Sequence, residues 1–163
     1  VLVGMNLSAE SMAKNNATFT SMEKAIKLDV FEWEDYALSY VMASINTEVD
    51  ESVAYKADEY AQRLSAAKSN TIHYNLTAYY LTTGNIADAM NNALKHMSYC
   101  TSSSDDWNSM FDLLMSVQGI YGFYPEYTNG VSELISMMNR WDEKNIGSIQ
   151  LNDNAKEFVL RFQ

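Results

Sequence analysis

The sequence is poor in the residues that most metal centres and many active sites require. It contains one cysteine (Cys100), two histidines (His73 and His96), one proline and six glycines. A single cysteine cannot form an internal disulfide, so cysteine usage does not indicate the redox compartment. The six glycines form no phosphate-cradling motif. The composition therefore argues against a disulfide scaffold, a cysteine-rich metal centre and a nucleotide-binding loop.

Basic residues are also scarce. The chain has 11 Lys and Arg against 21 Asp and Glu, which gives a formal net charge of -10 at pH 7. Proteins that bind nucleic acid or anionic lipid need a basic stripe that attracts phosphate groups. We therefore expect no nucleic-acid partner.

Long apolar runs are missing as well. No stretch reaches the roughly 18 apolar residues that a membrane-spanning helix needs. The chain begins at Val1 without an initiator Met, and residues 1–5 are mostly apolar. They are either the end of a membrane helix or the start of the first amphipathic helix. On the first interpretation, the chain meets a membrane only through a segment that precedes Val1.

Apolar residues make up 47% of the chain and aromatic residues 12%. They recur with a helical period nearly everywhere, which predicts an all-α fold of about seven to eight helices. We predict a single domain over residues 1–163. Its parts are a leading helix (1–30), a hairpin (31–69), a better-defined hairpin (70–103), and a divergent hairpin with a C-terminal helix (104–163).

Local signals predict where several helices begin and end. Ser8 is a candidate N-cap for the first helix, and the hydroxyls of residues 101–104 are candidates for a later one. Gly84 suits a helix end, because glycine adopts positive φ without a Cβ penalty. Residues 119–130, which contain Pro125, are predicted to form a loop rich in aromatic residues.

Residues 70–103 carry the pattern of a known helical repeat. The matching positions are His73, Leu76-Thr77, Tyr80, Gly84 and Ala89. The segment resembles a tetratricopeptide repeat (TPR), whose helix pairs repeat about every 34 residues. The resemblance is partial at residues 25–29 and at Trp107, and it ends at about Gln118. It implies antiparallel hairpins stacked as a short right-handed solenoid with a role in protein interaction.

A second resemblance concerns residues 25–40, which run AIKLDVFEWEDYALSY. This stretch is similar to the helical repeats at the C-terminus of O-antigen ligase/polymerase-type membrane proteins. In that family the repeats follow a multi-pass membrane domain and lie outside the cytoplasm. The resemblance implies an extracytoplasmic location, and a cytoplasmic location is the alternative.

The histidines and the cysteine are the first candidates for chemistry. His73 and His96 lie on the two helices of one predicted hairpin, with Asp88 as a possible third metal ligand. Zinc usually takes three or four ligands, and no H-E-x-x-H or cysteine cluster is present. Cys100 has a potential base in His96 four residues earlier. We favour packing roles for all of these residues and predict no metal and no cofactor.

An acidic cluster near a helix start is the second candidate. Two of the carboxylates of Glu32, Glu34 and Asp35 could act as an acid/base pair if a cleft held them a few Å apart. Their position just before Tyr36 instead favours charges that complement the helix dipole. We therefore predict no catalytic residue.

In a TPR, residues of the first helix of each pair face a concave groove. The resemblance places Tyr74 and Ala78 where a Lys/Arg-type clamp for a carboxylate would have its Lys and Asn. The corresponding positions of the next hairpin are acidic and favour a cationic or neutral polar ligand. They are Asp105, Asn108, Asp112 and Ser116. As alternatives, the groove is only solvated surface, or the C-terminal helix (155–162) fills it. The candidate groove residues are Tyr74, Asn75, Ala78, Thr82, Asn108, Asp112 and Ser116.

Together these patterns predict a non-catalytic interaction module that binds a protein, a peptide or a glycan. The preferred context is the extracytoplasmic TPR-like part of a surface-polysaccharide ligase or polymerase. One alternative is a cytoplasmic TPR adaptor or peptide-sensing regulator. A third is an all-helical enzyme that uses Glu32, Asp35 or the histidine pair.

Overall fold

A computed structural model describes residues 2–28, 32–100 and 103–163, except for the side chains of residues 2–14 and 70. This part of the chain forms nine helices and no strand, so the predicted all-α class is confirmed. No helix in it is both long and apolar enough to cross a membrane. The helices are α1 (Leu2–Leu28), α2 (Trp33–Asn46), α3 (Glu51–Leu64), α4 (Asn70–Thr83), α5 (Ile86–Tyr99), α6 (Ser104–Met115), α7 (Gln118–Tyr121), α8 (Pro125–Lys144) and α9 (Asp153–Arg161).

The chain divides into two compact units, residues 1–67 and 68–163. The division falls close to the predicted boundary between the hairpins 31–69 and 70–103. In a stacked repeat array each repeat contacts only its neighbours, so such a division arises in one domain as well as in two. The single domain over residues 1–163 therefore stays a prediction.

The first unit has an aromatic core. In this unit α2 packs against both α1 and α3. The ring of Tyr40 lies edge-on to Phe19, with centroids 4.8 Å apart, and edge-on to Tyr60 at 5.2 Å. Burial raises the pKa of Tyr40 to about 12, and the negative charge of Glu23 adds to the shift. Each of the three helices thus contributes one ring to a continuous row of edge-to-face contacts.

Asp50 joins the start of α3 to α1. Its Oδ1 accepts a hydrogen bond from the Val53 backbone N–H (3.0 Å), which is a helix N-cap, and its Oδ2 accepts one from Asn16 Nδ2 (3.0 Å). Ser52 Oγ donates to the same carboxylate at 2.7 Å. The Ser52 and Val53 bonds favour the ionised form and lower the pKa of Asp50.

The Asp50 carboxylate makes the stability of the first unit depend on pH. A carboxyl group whose pKa is lower in the folded than in the unfolded state stabilises the fold at pH values above its unfolded-state pKa. This stabilisation is lost as the pH falls through its folded-state pKa. Asp50→Asn keeps a capping oxygen but cannot ionise. We therefore expect the melting-temperature advantage of wild type over Asp50→Asn to shrink from about pH 5 to pH 2. Thermal melts followed by circular dichroism measure it, with Glu51→Gln in the same turn as control. A constant advantage across this range would contradict the assignment.

The second unit begins with its most closely packed helix pair, α4 and α5. Gly84 ends α4 in the left-handed conformation (φ 84°), as predicted, and its N–H donates to the Tyr80 carbonyl. Asn85 then caps α5 by accepting from the Asp88 N–H. Ala89 and Ala93 of α5 are fully buried, and small side chains at such positions let neighbouring helices approach closely. The hairpin predicted from the TPR pattern is therefore present.

Two predicted helix boundaries are wrong. Ser8 lies inside α1, because the residues before it continue the helix back to Leu2. No proline interrupts this stretch. Residues 119–130 are not a loop: they contain the short helix α7 and the start of α8. Pro125 occupies the first turn of α8, where its missing N–H costs nothing. Gly130 lies within α8 and is buried.

The end of the chain is held against α6. Phe158 of α9 packs on Phe111 of α6 with ring centroids 5.9 Å apart. The Asn108 side chain donates to the Gln150 carbonyl (3.0 Å) and accepts from the Asn152 N–H (2.9 Å). These bonds hold the connector between α8 and α9, residues 146–152, which is non-helical.

Candidate functional site

A depression of about 540 Å³ lies where α4, the end of α5 and the start of α6 meet. It combines an aromatic ring, an imidazole, a thiol, a carboxylate, an amide and two hydroxyls. None of the described residues that line it is Lys or Arg. The lining residues are Thr71, Tyr74, Asn75, His96, Cys100, Asp106 and Ser109.

Helix ends position the groups on the α5 and α6 side. His96 and Cys100 are four residues apart, so they share one face at the end of α5. The Cys100 N–H donates to the His96 carbonyl at 3.1 Å, which continues the helix to its C-cap. Ser103 then caps α6 by accepting from the N–H groups of Asp105 and Asp106. The last turn of α5 and the first turn of α6 therefore face the same space.

Three potential metal ligands converge there. One ligand atom each of His96, Cys100 and Asp106 lies within 4.8 Å of the others. His96 is buried, and Cys100 and Asp106 are half-buried. Burial raises the pKa of the Cys100 thiol, and the negative charge of Asp106 raises it further. The electrostatic environment of the site is therefore negative and favours the binding of a cation or a proton.

Tyr74 forms the α4 wall of the depression. Its ring centroid lies 5.3 Å from that of His96, with the planes tilted by 57°. Burial raises the pKa of Tyr74, and the negative charge of Asp112 adds to the effect. Asp112, one of the predicted groove residues, thus acts electrostatically on the ring although it does not line the depression.

The structure separates the predicted groove residues. Tyr74 and Asn75 line the depression, whereas Ala78, Thr82 and Ser116 do not. Thr82 Oγ donates back to the Ala78 carbonyl of its own helix at 2.8 Å. The Asn108 side chain is hydrogen-bonded to Gln150 and Asn152 of the connector. No residue of α9 lines the depression, so the C-terminal helix does not fill this part of the predicted groove.

The other candidates for chemistry lie elsewhere. His73 is fully buried, and its Nδ1 lies 2.9 Å from Asn92 Oδ1. The Asp88 carboxylate accepts from Asn85 Nδ2 at the start of α5. Among the described residues, the alternative ligand set of His73, His96 and Asp88 does not converge. Glu34 and Asp35 occupy the first turn of α2, as the dipole argument predicted.

Sequence reasoning missed Thr71, Asp106 and Ser109 as parts of this site. No sequence pattern relates Asp106 to the other residues of the site, and the sequence relates Cys100 to His96 only as a nucleophile to a potential base. The His-x3-Cys spacing followed closely by an acidic helix start was the available signal. It becomes informative only when α6 is known to turn back toward α5.

No family model, no curated protein and no solved structure matches this chain. The resemblances to TPR proteins and to O-antigen ligase/polymerase-type proteins therefore rest on the quoted residues alone.

Proposed function

We propose that this chain is a TPR-like helical-repeat interaction module, and that the depression formed by α4, α5 and α6 binds a cationic peptide segment of a partner protein. The observation that carries the proposal is the composition of the depression. It brings the Tyr74 ring and the Asp106 carboxylate together, with no Lys or Arg among its described lining.

The chemistry of the lining favours a lysine or arginine side chain. An ammonium or guanidinium group gains from the face of an aromatic ring, and Tyr74 supplies one that is partly exposed. Asp106 and the nearby Asp112 add negative charge that attracts the same group. Asn75, Thr71 and Ser109 provide donors and acceptors for a peptide backbone. Binding of this kind needs no covalent step.

Peptide titration tests the proposal directly. The probes are a fluorescein-labelled Gly-Ser-Lys repeat peptide and its Gly-Ser-Glu counterpart, followed by fluorescence anisotropy with EDTA present. We expect the lysine peptide alone to bind. Tyr74→Ala should weaken it by about five- to tenfold, whereas Tyr74→Phe keeps the ring and most of the affinity.

Charge gives a second, independent comparison. Asp112→Asn should weaken the lysine peptide by about two- to fivefold, which is typical of an exposed ion pair. Glu133→Gln removes a carboxylate of α8 that is also exposed, and it should have no effect. Equal binding of both peptides, or equal effects of the two variants, would overturn the proposal.

We further propose, on the resemblance of residues 25–40, that the module belongs to a surface-polysaccharide ligase or polymerase and lies outside the cytoplasm. The sequence of the gene upstream of the Val1 codon tests this context. Several apolar runs of about 20 residues would support it. A soluble upstream region would instead favour a cytoplasmic adaptor.

A further inference from the structure

Three side chains with strong metal-ligand chemistry converge in the depression. An imidazole nitrogen of His96, Sγ of Cys100 and a carboxylate oxygen of Asp106 lie within 4.8 Å of one another. Imidazole, thiolate and carboxylate are the three ligand types that Zn²⁺ uses in proteins. Ca²⁺ and Mg²⁺ prefer oxygen ligands, so this mixed set selects against them.

The separation of the ligand atoms is close to what a bound ion requires. Around a tetrahedral Zn²⁺ with bonds of about 2.0–2.3 Å, ligand atoms lie roughly 3.3–3.8 Å apart. The observed spread of up to 4.8 Å therefore needs a contraction of about 1–1.5 Å, which side-chain rotation can supply. The backbone is already set by the end of α5 at Cys100 and the Ser103 cap of α6.

The surroundings leave room for a fourth ligand. The three side chains border a depression of about 540 Å³ that opens to solvent. Metal sites with three protein ligands keep an open position that water or another small ligand occupies. The hydroxyls of Thr71 and Ser109, which line the same depression, are available to hydrogen-bond such a ligand.

We propose that His96, Cys100 and Asp106 bind one divalent transition-metal ion of the Zn²⁺ class, with its fourth position open to the depression. The ion would cross-link the last turn of α5 and the first turn of α6, which are successive helices. This site goes beyond the peptide-binding proposal and does not depend on it, because metal binding has its own readout in the absence of any peptide.

Cobalt substitution tests the site on the unmodified chain. Cys100 is the only cysteine, so a thiolate-to-Co²⁺ charge-transfer band can come from no other residue. We expect this band to saturate at one Co²⁺ per chain under reducing conditions and to be displaced by Zn²⁺. The conservative variant Cys100→Ser should lack the band. Absence of the band in the wild-type protein would overturn the proposal.

Calorimetric Zn²⁺ titration tests the third ligand with a matched control. Asp106→Asn should weaken Zn²⁺ binding at least tenfold, whereas Asp105→Asn removes the same charge one residue away and should change it less than twofold. Asp105 is exposed and does not line the depression. Equal losses in the two variants would mean diffuse attraction to the helix start and would overturn the site. Zn²⁺ should also raise the melting temperature of wild type but not of Cys100→Ser.

Discussion

Replacing Trp107 by alanine should destabilise the second unit by about 3–5 kcal/mol, the usual cost of deleting a large buried ring. Trp107 is completely buried in α6 and stacks on Phe111, with ring centroids 5.8 Å apart. Phe111 in turn contacts Phe158 of α9, so the deletion also loosens the attachment of the C-terminal helix. Urea unfolding followed by far-ultraviolet circular dichroism measures the change.

The matched variant Trp107→Phe should cost less than half as much. It keeps a ring against Phe111 while removing the indole N–H. That N–H is buried and has no hydrogen-bond partner among the described residues. An unsatisfied buried donor costs about 1–3 kcal/mol, so its removal offsets part of the lost packing. If the Phe and Ala variants were equally unstable, the stacking role of the ring would be refuted.

Replacing Gly130 by alanine should destabilise the second unit by about 1–2 kcal/mol, although alanine is the better helix former. A Cβ added there would lie 2.6 Å from both Cγ and Cε of Met90 and 2.8 Å from its Cβ. The Met90 Cβ is tied to the backbone of α5, so the α5–α8 spacing must increase. Equilibrium unfolding measures this loss against Gly119→Ala, where nothing lies within 4 Å of the added Cβ.

A double-variant cycle identifies the cause of the Gly130 effect. In a Met90→Ala background the Cγ and Cε clashes are gone and only the Cβ contact remains. Gly130→Ala should therefore cost less there than in wild type, with a coupling free energy of about 0.5 kcal/mol or more. Strict additivity would show that the cost does not arise from this contact.

Helix positions were predictable where the signal is local. The end of α4 follows from the apolar spacing and from Gly84, which takes the left-handed C-cap conformation. Prediction failed at residues 119–130, because glycine and proline usually break helices. There Pro125 lies in the first turn and Gly130 serves a close helix contact.

Part of the candidate site was predictable for the same reason. Tyr74 and Asn75 lie on one face of a periodic helix, so their register follows from the TPR pattern. The pairing of Cys100 with His96 follows from the four-residue spacing alone. Asp106 and Ser109 belong to another helix, and no local rule relates them to α5.

The sequence by itself therefore determined the all-α class, the end of α4 at Gly84 and the acidic character of the chain. These depend on backbone hydrogen bonds and apolar periods that act within a few residues. Only the tertiary structure decided that Asp106 faces His96 and Cys100, that Asn108 holds the C-terminal connector, and that Gly130 lies against Met90. Those tertiary contacts depend on how closely whole helices pack. Helix packing in turn depends on the volumes of side chains from distant parts of the chain.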